Sequence, residues 1–329
     1  FDGVTGLVRL SDGTIVVADG GSQEIRFFDS AGELKAVAGG PGEGPGEFTG
    51  LSGLGSVATG AVWAYDFSLR RITWLAGSGQ VLNTVRLDSE PPMLNSVGAL
   101  PDGTFILKQL WGATQVAEAQ EGGLRRDPVA VVRFDDRGSL VDTLGLFPGR
   151  ETFLREENGR GVMSTPPFAR NAASVVRGER VVVGTQDAFE LLEFNPAGTL
   201  TRAIRIPSWD GSLAPGDVEE YIQGRLETVA EERRPGLRAE LEGMPVPSRK
   251  PAYGGLLADM SGNLWVSEWV LYPHLPESWT VFDPDGRWLG EVAVSGRCHP
   301  YAAGEDWVLG VEWDDLDVEY VVLYPLIKG

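Results

Sequence analysis

The chain repeats one pattern six times along its length. Each unit has a strand rich in small residues, a turn marked by glycine, and then a strand rich in β-branched and aromatic residues. The second strands of the six units read "DGTIVVAD" (12–19), "TGAVWAYD" (59–66), "DGTFILKQ" (102–109), "RGERVVVGT" (177–185), "SGNLWVSE" (261–268) and "GEDWVLGVE" (304–312). Such runs, bounded by Asp-Gly or Ser-Gly turns, are typical of antiparallel hairpins.

The spacing of the turn glycines indicates how the units are assembled. The glycines fall at 13, 60, 103, 178, 262 and 304, so the gaps are 47, 43, 75, 84 and 42 residues. Three gaps are close to a basic period, and two contain insertions. Four short antiparallel strands repeated six times predict an all-β fold, a six-bladed β-propeller of four-stranded blades. We expect one domain over residues 1–329, with blades near 1–47, 48–90, 91–146, 168–206, 252–294 and 296–329.

The first unit resembles an NHL repeat. Residues 7–48 contain "DGTIVVAD", then "EIRFFDSAGE", then "GPGEF", which correspond to that family's strand–turn–strand signature. The resemblance implies a propeller of the NHL and TolB-like kind. In bacteria such propellers are often extracytoplasmic, so we expect a periplasmic or cell-surface protein, soluble or peripherally attached. The resemblance implies no activity, because propellers host many unrelated functions.

The glycine-rich stretch "GGPGEGPGEF" (39–48) is interpreted as the crossover between the first two blades. Glycine and proline shape the path, and Phe48 is predicted to fill the space between blades. Phe1 stands at the same place in the repeat. We therefore expect residues upstream of Phe1 to supply the outer strand of the sixth blade.

Three long insertions point to one face of the propeller. Because strands in a blade alternate in direction, the glycine turns lie on one face, which we call the short-turn face. The loops between second and third strands and the blade crossovers lie on the other, the insertion face. The insertions at 110–128, 147–169 and 207–252 all belong to the insertion face. Long loops in a compact domain are usually functional, so function is predicted there.

The largest insertion contains a predicted helix over about 217–234. Asp217 is expected as its N-cap with Glu220 three residues on, and Pro235 and Gly236 are expected to end it. Its apolar residues recur at helical spacing: Val218, Tyr221, Ile222, Leu226 and Val229. Two interpretations are open, a helix packed on its own propeller and a helix that acts as a lid or docks a partner.

Composition excludes several classes of function. A formal net charge of −19 argues against nucleic-acid binding, which needs clustered basic residues. One cysteine and two histidines exclude disulfides, thiolate clusters and three-histidine zinc sites. Cys298 and His299 are neighbours in a strand and so point to opposite faces, which disfavours a catalytic pair. No transmembrane segment, nucleotide-binding loop or GxSxG motif is found, and no catalytic residue is predicted.

A metal site at the central channel is a weaker prediction. In propeller enzymes of the gluconolactonase and paraoxonase kind, side chains of the innermost strands hold a metal at the channel. The corresponding candidates here are Asp2, Asn95, Asn171 and His299. The side-chain oxygen atoms of Asp2, Asn95 and Asn171 suit Ca²⁺, the one cofactor considered, although asparagine at a strand start more often serves a turn. The alternative function is accordingly a divalent-cation-dependent hydrolase or lyase.

The favoured prediction is a non-catalytic propeller that binds protein. It would be an extracytoplasmic accessory or extrinsic subunit of a larger assembly, which could be a membrane-bound complex. Tryptophan, tyrosine and arginine dominate binding hot spots. The candidate partner-binding residues on the insertion face are Trp111, Trp209, Trp269, Trp313, Tyr221 and Arg225.

Acidic residues at strand ends and in one loop are predicted to be structural. Asp19, Asp66 and Glu268 end second strands and should accept hydrogen bonds from loop amides. The run "EWDDLDVE" (312–319) is interpreted as a solvated acidic loop.

Overall fold

Antiparallel sheets account for most of the protein. The computed structural model describes residues 1–57, 59–112, 123–157, 160–271 and 274–327. These residues form seven antiparallel sheets. Sheet 1 comprises β1 (Val4–Arg9), β2 (Ile15–Asp19), β3 (Glu24–Phe28) and β4 (Leu34–Gly39). Sheet 2 comprises β5 (Leu51–Ser56), β6 (Val62–Asp66), β7 (Arg71–Leu75) and β8 (Val81–Arg86).

Two further sheets come from the middle of the chain. Sheet 3 comprises β9 (Leu94–Ala99), β10 (Phe105–Gln109), β12 (Pro128–Phe134) and β13 (Leu140–Pro148). The insertion sheet comprises β11 (Gly123–Arg125), β14 (Thr152–Glu157) and β15 (Arg160–Ser164), in the order β11–β14–β15. Its strands therefore come from two separate insertions, 110–128 and 147–169; residues 113–122 and 158–159 of these insertions lie outside the described residues.

The last three sheets follow in chain order. Sheet 4 comprises β16 (Ala173–Arg177), β17 (Arg180–Gly184), β18 (Glu190–Phe194) and β19 (Leu200–Arg205). Sheet 5 comprises β20 (Leu256–Ala258), β21 (Leu264–Ser267), β22 (Ser278–Phe282) and β23 (Trp288–Ala293). Sheet 6 comprises β24 (Cys298–Ala303), β25 (Trp307–Trp313) and β26 (Glu319–Pro325), three strands within the described residues. The backbone N–H of Phe1 donates to the carbonyl of Glu319 (3.1 Å), beside the start of β26.

The first strands of sheets 1 to 6 lie next to one another in a closed order. β1 lies beside β5, β5 beside β9, β9 beside β16, β16 beside β20, β20 beside β24, and β24 beside β1. All six strands line a cavity of 470 Å³ that opens on the short-turn face. The fold is therefore a β-propeller, as the repeat pattern predicts.

The hydrophobic core lies between neighbouring sheets and not within any one of them. One cluster joins sheets 1 and 2 through Val16, Phe27 and Leu51, and similar clusters fill the other five interfaces of the ring. Each fully buried large apolar side chain contributes about 1.5–3 kcal/mol. The alternating pattern of each second strand places side chains in both adjoining interfaces, so every sheet is fixed by its two neighbours.

Phe48 lies where the sequence predicts, fully buried between sheets 1 and 2. The crossover holds it from both sides of its backbone: its N–H donates to Gly40 O (2.8 Å) and its carbonyl accepts from Gly42 N (3.0 Å). Gly39 has φ of +96°, and a Cβ there would lie 2.9 Å from the Phe48 ring. Glycine is required at this position for both reasons.

Five of the six turn glycines have the positive φ that their turns require: Gly13, Gly60, Gly103, Gly178 and Gly262. Gly304 does not. It flanks the last hairpin, where its N–H donates to Trp307 O (2.9 Å), and a Cβ on it would lie 2.4 Å from the Trp307 indole. Its role is close packing instead of a turn.

The predicted helix over about 217–234 begins at Asp217, as its range predicts, but its N-cap residue and its end are different from those predicted. α1 (Asp217–Glu227) is followed by a turn of 3-10 helix (Glu231–Arg233) and by α2 (Arg234–Glu242). Gly216 is the N-cap, and Asp217 instead accepts from Ala214 N and pairs with Lys250. Pro235 lies in the first turn of α2, where its missing N–H costs nothing, so it begins a helix and does not end one.

The two helices and the insertion sheet form one unit on the insertion face, which we call the insertion cap. Ile222, Leu226, Leu241 and Met244 are buried together, with Phe153 of the insertion sheet packed against them. Arg155 and Ser164 of the same sheet donate to Glu240 of α2 (3.2 and 3.1 Å). The apolar face of α1 thus packs within its own chain. No helix among the described residues is long and apolar enough to cross a membrane.

Candidate functional site

The insertion cap joins the propeller through a stack of three aromatic rings. Phe168 lies between Tyr221 of α1 and Trp269 of the loop after β21, with ring centroids 5.3 Å from each. The Phe168 side chain is 1% exposed, and its backbone has φ of +55°, which is unusual for a residue with a side chain. Phe168 cannot be recognised from the sequence, since neither its positive φ nor its neighbours can be read from the residues "PPFAR" (166–170) alone.

The same rings line an open cavity of 530 Å³, which we call the cap cavity. It contains three of the predicted partner-binding residues, Tyr221, Arg225 and Trp269. Arg150, which the sequence analysis did not select, also lines it, together with the hydroxyl side chains of Ser164 and Thr165. Aromatic faces beside guanidinium groups form a surface suited to desolvated contacts with another molecule.

A second cavity of 410 Å³ adjoins the other side of Trp269. Trp209 and Trp269 both line it, with Lys250 and Glu268. The Arg249 guanidinium lies over the Trp209 ring at 6.0 Å. Trp269 is therefore shared between two neighbouring depressions of the insertion face.

The remaining predicted residues are placed differently. Trp111 lies at the edge of the cap cavity, where the Arg150 guanidinium lies over its ring at 5.9 Å. Trp313 ends β25 and is 37% exposed, and it lines neither cavity. Four of the six candidates thus line one or both of two adjacent cavities, Trp111 is linked to the cap cavity through Arg150, and Trp313 stands apart.

A network of paired charges anchors the insertions beneath the cap. Asp187 accepts from Arg126 (2.7 Å) and Arg170 (2.8 Å), and Arg170 also pairs with the buried Glu151. Burial by itself would raise the pKa of Asp187, but bonds from Arg126 and Thr185 hold that pKa below its ordinary value. The network contains as many carboxylates as guanidinium groups, so it is neutral.

Two cations next to this network, Lys108 and Arg150, have no carboxylate partner among the described residues. The ammonium of Lys108, the fourth residue of β10, donates to the carbonyl of Ala172 at the start of sheet 4. Burial, with the nearby charge of Arg150, lowers the pKa of Lys108 to about 8. An alignment of the repeats would have revealed Lys108, because the other second strands carry an uncharged residue at that position, such as Ala18 or Tyr65.

The four predicted metal ligands lie at or just before the starts of four innermost strands, each in different surroundings. Asp2 is exposed, and His299 packs edge-on against Tyr301 with ring centroids 5.0 Å apart. Burial lowers the pKa of His299, which favours its neutral form. The side chain of Asn171 accepts from Ala172 N (2.8 Å), and Asn95 pairs with Lys108 across β9 and β10. In the described parts of the chain, no three His, Cys, Asp or Glu residues are arranged to hold a metal ion.

The acidic residues that end second strands do accept hydrogen bonds from loop amides, as predicted. Asp19 accepts from Gly21 N and Ser22 N, Asp66 from Thr49 N and Leu69 N, and Glu268 from Glu277 N and Ser278 N. Cys298 is fully buried, and burial raises the pKa of its thiol to about 11, so it is protonated near neutral pH. Asp314 of the acidic loop is half-buried and accepts from Leu316 N and Val318 N.

Solved structures of several bacterial proteins share this fold. The structure of an exported protein from Bacteroides fragilis, itself described only tentatively, aligns at 13% identity over 100% of this chain and 92% of its own, with a TM-score of 0.55. A member of the DUF4221 family from Bacteroides vulgatus aligns at 12% identity over 98% and 92% of the two chains, with a TM-score of 0.53. Virginiamycin B lyase from Staphylococcus aureus aligns at 14% identity over 99% and 85%, but its TM-score of 0.47 carries no functional argument. No protein-family model matches the chain, and no curated protein is significantly similar to it.

Proposed function

We propose that this protein is a non-catalytic binding propeller that holds a protein partner on its insertion face. The observation that carries the proposal is the convergence of two separate insertions, 147–169 and 207–252, on one cavity beside the loop after β21. The two insertions build a small hydrophobic core of their own and, with that loop, leave Trp269, Tyr221, Arg225 and Arg150 around an open depression. The residue types are those that dominate protein interfaces, and the cavity joins a second one through Trp269.

We further infer a six-bladed propeller of the NHL kind. Sheets 1 to 6 supply the blades, since their first strands close the ring, and the seventh sheet belongs to the insertion cap. The NHL resemblance of the first unit supports the family-level inference. The likeness to an exported bacterial protein supports an extracytoplasmic accessory or extrinsic subunit.

The alternative is a divalent-cation-dependent enzyme working at the channel. The described residues offer it two half-buried asparagines, one of them bonded to its neighbour's amide, and a histidine that packs on Tyr301. Such an enzyme first requires a set of metal ligands that converge. Among the described residues, no group of three His, Cys, Asp or Glu side chains meets this requirement, so the binding function is the better supported one.

Affinity capture with a matched pair of variants tests the binding proposal. Tagged wild type, Trp269→Ala and Arg9→Gln would be expressed in the source cells and isolated with membranes retained. Arg9 lies over Trp307 at the short-turn face, so its variant is the control for the opposite surface. We expect a stoichiometric partner with wild type and R9Q, and loss of that partner with W269A. A partner retained by W269A and lost by R9Q would place binding on the short-turn face and contradict the proposal.

A further inference from the structure

Two cations beside the charge network under the insertion cap lack the partners that nearly every neighbouring charge has. Arg126, Arg170, Glu151 and Asp187 are paired with one another and leave no net charge. The Lys108 ammonium donates to the carbonyl of Ala172, two residues after Arg170, and Arg150 directly precedes Glu151, whose N–H donates to Arg170 O (2.9 Å). Both cations therefore adjoin the network, Arg150 also lines the cap cavity, and neither has a carboxylate within reach in the described parts of the chain. In a protein of net charge −19, such a local excess needs an explanation.

The donors of both groups are largely unused. The Lys108 ammonium has three N–H groups, and the described structure gives it one acceptor, the carbonyl of Ala172. The Arg150 guanidinium is exposed and lies over the Trp111 ring, a contact that restrains the long side chain without using its N–H groups. Asn95 pairs with Lys108 across antiparallel strands, so its amide lies on the same face of sheet 3.

We propose that Lys108 and Arg150 form a binding site for a carboxylate, at the edge of the cap cavity. A carboxylate would accept from the planar guanidinium of Arg150 and from the free N–H groups of Lys108. It would relieve the repulsion between the two cations, which no described protein group relieves. The same positive charge disfavours a metal cation near Asn95 and Asn171. The site goes beyond the proposed function and stands without it, because it depends on these two cations and not on the nature of the partner.

The chain contains four lysines, which makes a direct measurement practical. With ¹³C at the lysine ε positions, NMR would follow each ammonium separately, and Lys108→Met would assign the Lys108 signal. Lys35 and Lys250 are paired with Asp29 and Asp217 and serve as internal references. The probes are succinate and an end-capped tetraglutamate peptide, each at constant ionic strength, with succinamide as the uncharged control.

We expect saturable movement of the Lys108 signal with a carboxylate probe, a higher Lys108 pKa in its presence, and no effect of succinamide. Arg150→Gln should weaken binding by roughly tenfold to a hundredfold, the usual range for a lost charged hydrogen bond. Arg137→Gln removes the same charge from an exposed turn on the short-turn face and should leave binding unchanged. Tighter binding of the peptide would identify an acidic protein segment as the source of the carboxylate, and equal or tighter binding of succinate would identify a free organic acid.

Two results would overturn the proposal. The first is a Lys108 signal that neither probe moves in the wild type. The second is movement of equal size and midpoint in R150Q, which would mean that Lys108 senses bulk salt. Neither result would depend on whether a protein partner binds the insertion face, so failure here is distinguishable from failure of the proposed function.

Discussion

The ammonium of Lys108 donates to the carbonyl of Ala172, and so ties the second strand of sheet 3 to the start of sheet 4. One sheet earlier, the hydroxyl of Tyr65 does the same work by donating to Leu94 O (3.0 Å). Both residues are fourth in their strands. A neutral hydroxyl satisfies this position without cost, whereas a charged ammonium loses hydration there.

The first prediction follows from that cost. Because the folded-state pKa of Lys108 is lowered to about 8, the unfolded chain binds more protons between about pH 8 and the ordinary lysine value near 10.4. Folding stability contributed by this group is therefore lowest below pH 8 and rises as the pH increases through that window. The full difference is on the order of 3 kcal/mol, at about 1.4 kcal/mol per pKa unit.

Urea denaturation of wild type and Lys108→Met at pH 7 and pH 9.5 checks this prediction. The variant should gain on the wild type at pH 7 and lose most of that gain at pH 9.5. Lys35→Met is the control, because ion pairs with Asp29 and Glu33 raise the pKa of Lys35 and place its titration above both pH values. A Lys108→Met difference that is the same at both pH values would contradict the assigned burial of the charge.

The second prediction concerns Phe168, which links the insertion cap to the propeller. Phe168→Ala removes both ring contacts and should cost about 3–5 kcal/mol, the range for a buried phenylalanine. Phe168→Gly deletes one more carbon but relieves the φ of +55°, so it should be at least as stable as the alanine variant. Urea denaturation midpoints of the two variants compare their stabilities. A glycine variant that is less stable than the alanine variant by about 1 kcal/mol would contradict the strain assigned to the positive φ of Phe168.

The third prediction concerns a buried ion pair in sheet 4 between β16 and β18, the two strands on either side of β17. Arg177 donates to Glu193, and their side chains are 4% and 2% exposed. Glu193→Gln leaves the arginine charge without compensation and should cost about 3 kcal/mol or more. The double variant with Arg177→Met should recover much of this loss, since the uncompensated charge is then gone. Additive losses in the double variant would show that the pair is not coupled.

The fourth prediction separates two reasons for glycine at position 39, its backbone conformation and its packing. Gly39 and Gly32 have similar positive φ values, +96° and +82°, but only Gly39 has Phe48 against it. Both alanine variants should lose about 1–2 kcal/mol from backbone strain. Gly39→Ala should lose about 1–3 kcal/mol more, because its methyl group collides with the Phe48 ring. Equal thermal midpoints for the two variants would contradict the packing role.

The repeat and its alternation predicted the propeller because turn glycines and period-2 strands are local features. Elements whose boundaries or pairing depend on residues distant in the sequence were not predicted. β11 and β14 pair across the whole of β12 and β13, and neither segment alone reads as a strand of a separate sheet. The "RRPG" run after α1 is typical of a helix end, yet Pro235 lies in the first turn of α2. A short segment connects the two helices, and α2 packs on α1.

The candidate site was predicted in part, for the same physical reason. Loop tryptophans can be recognised by residue type, and Trp111, Trp209 and Trp269 do gather with Tyr221 and Arg225 around the two cavities. Arg150, Phe168 and Lys108 were missed because their importance lies in what they contact. Arg150 is one arginine among many, and only its place over Trp111 and near Lys108 distinguishes it.

Photo-crosslinking in cells tests directly whether a protein partner binds the insertion face. A photo-crosslinking amino acid would be placed at Val270, which lines the cap cavity, and separately at Met260, which is 59% exposed at the short-turn mouth of the channel. After irradiation in intact source cells, we expect one discrete crosslinked protein from position 270 and none from position 260. A discrete adduct from position 260 alone would contradict it and assign binding to the opposite face.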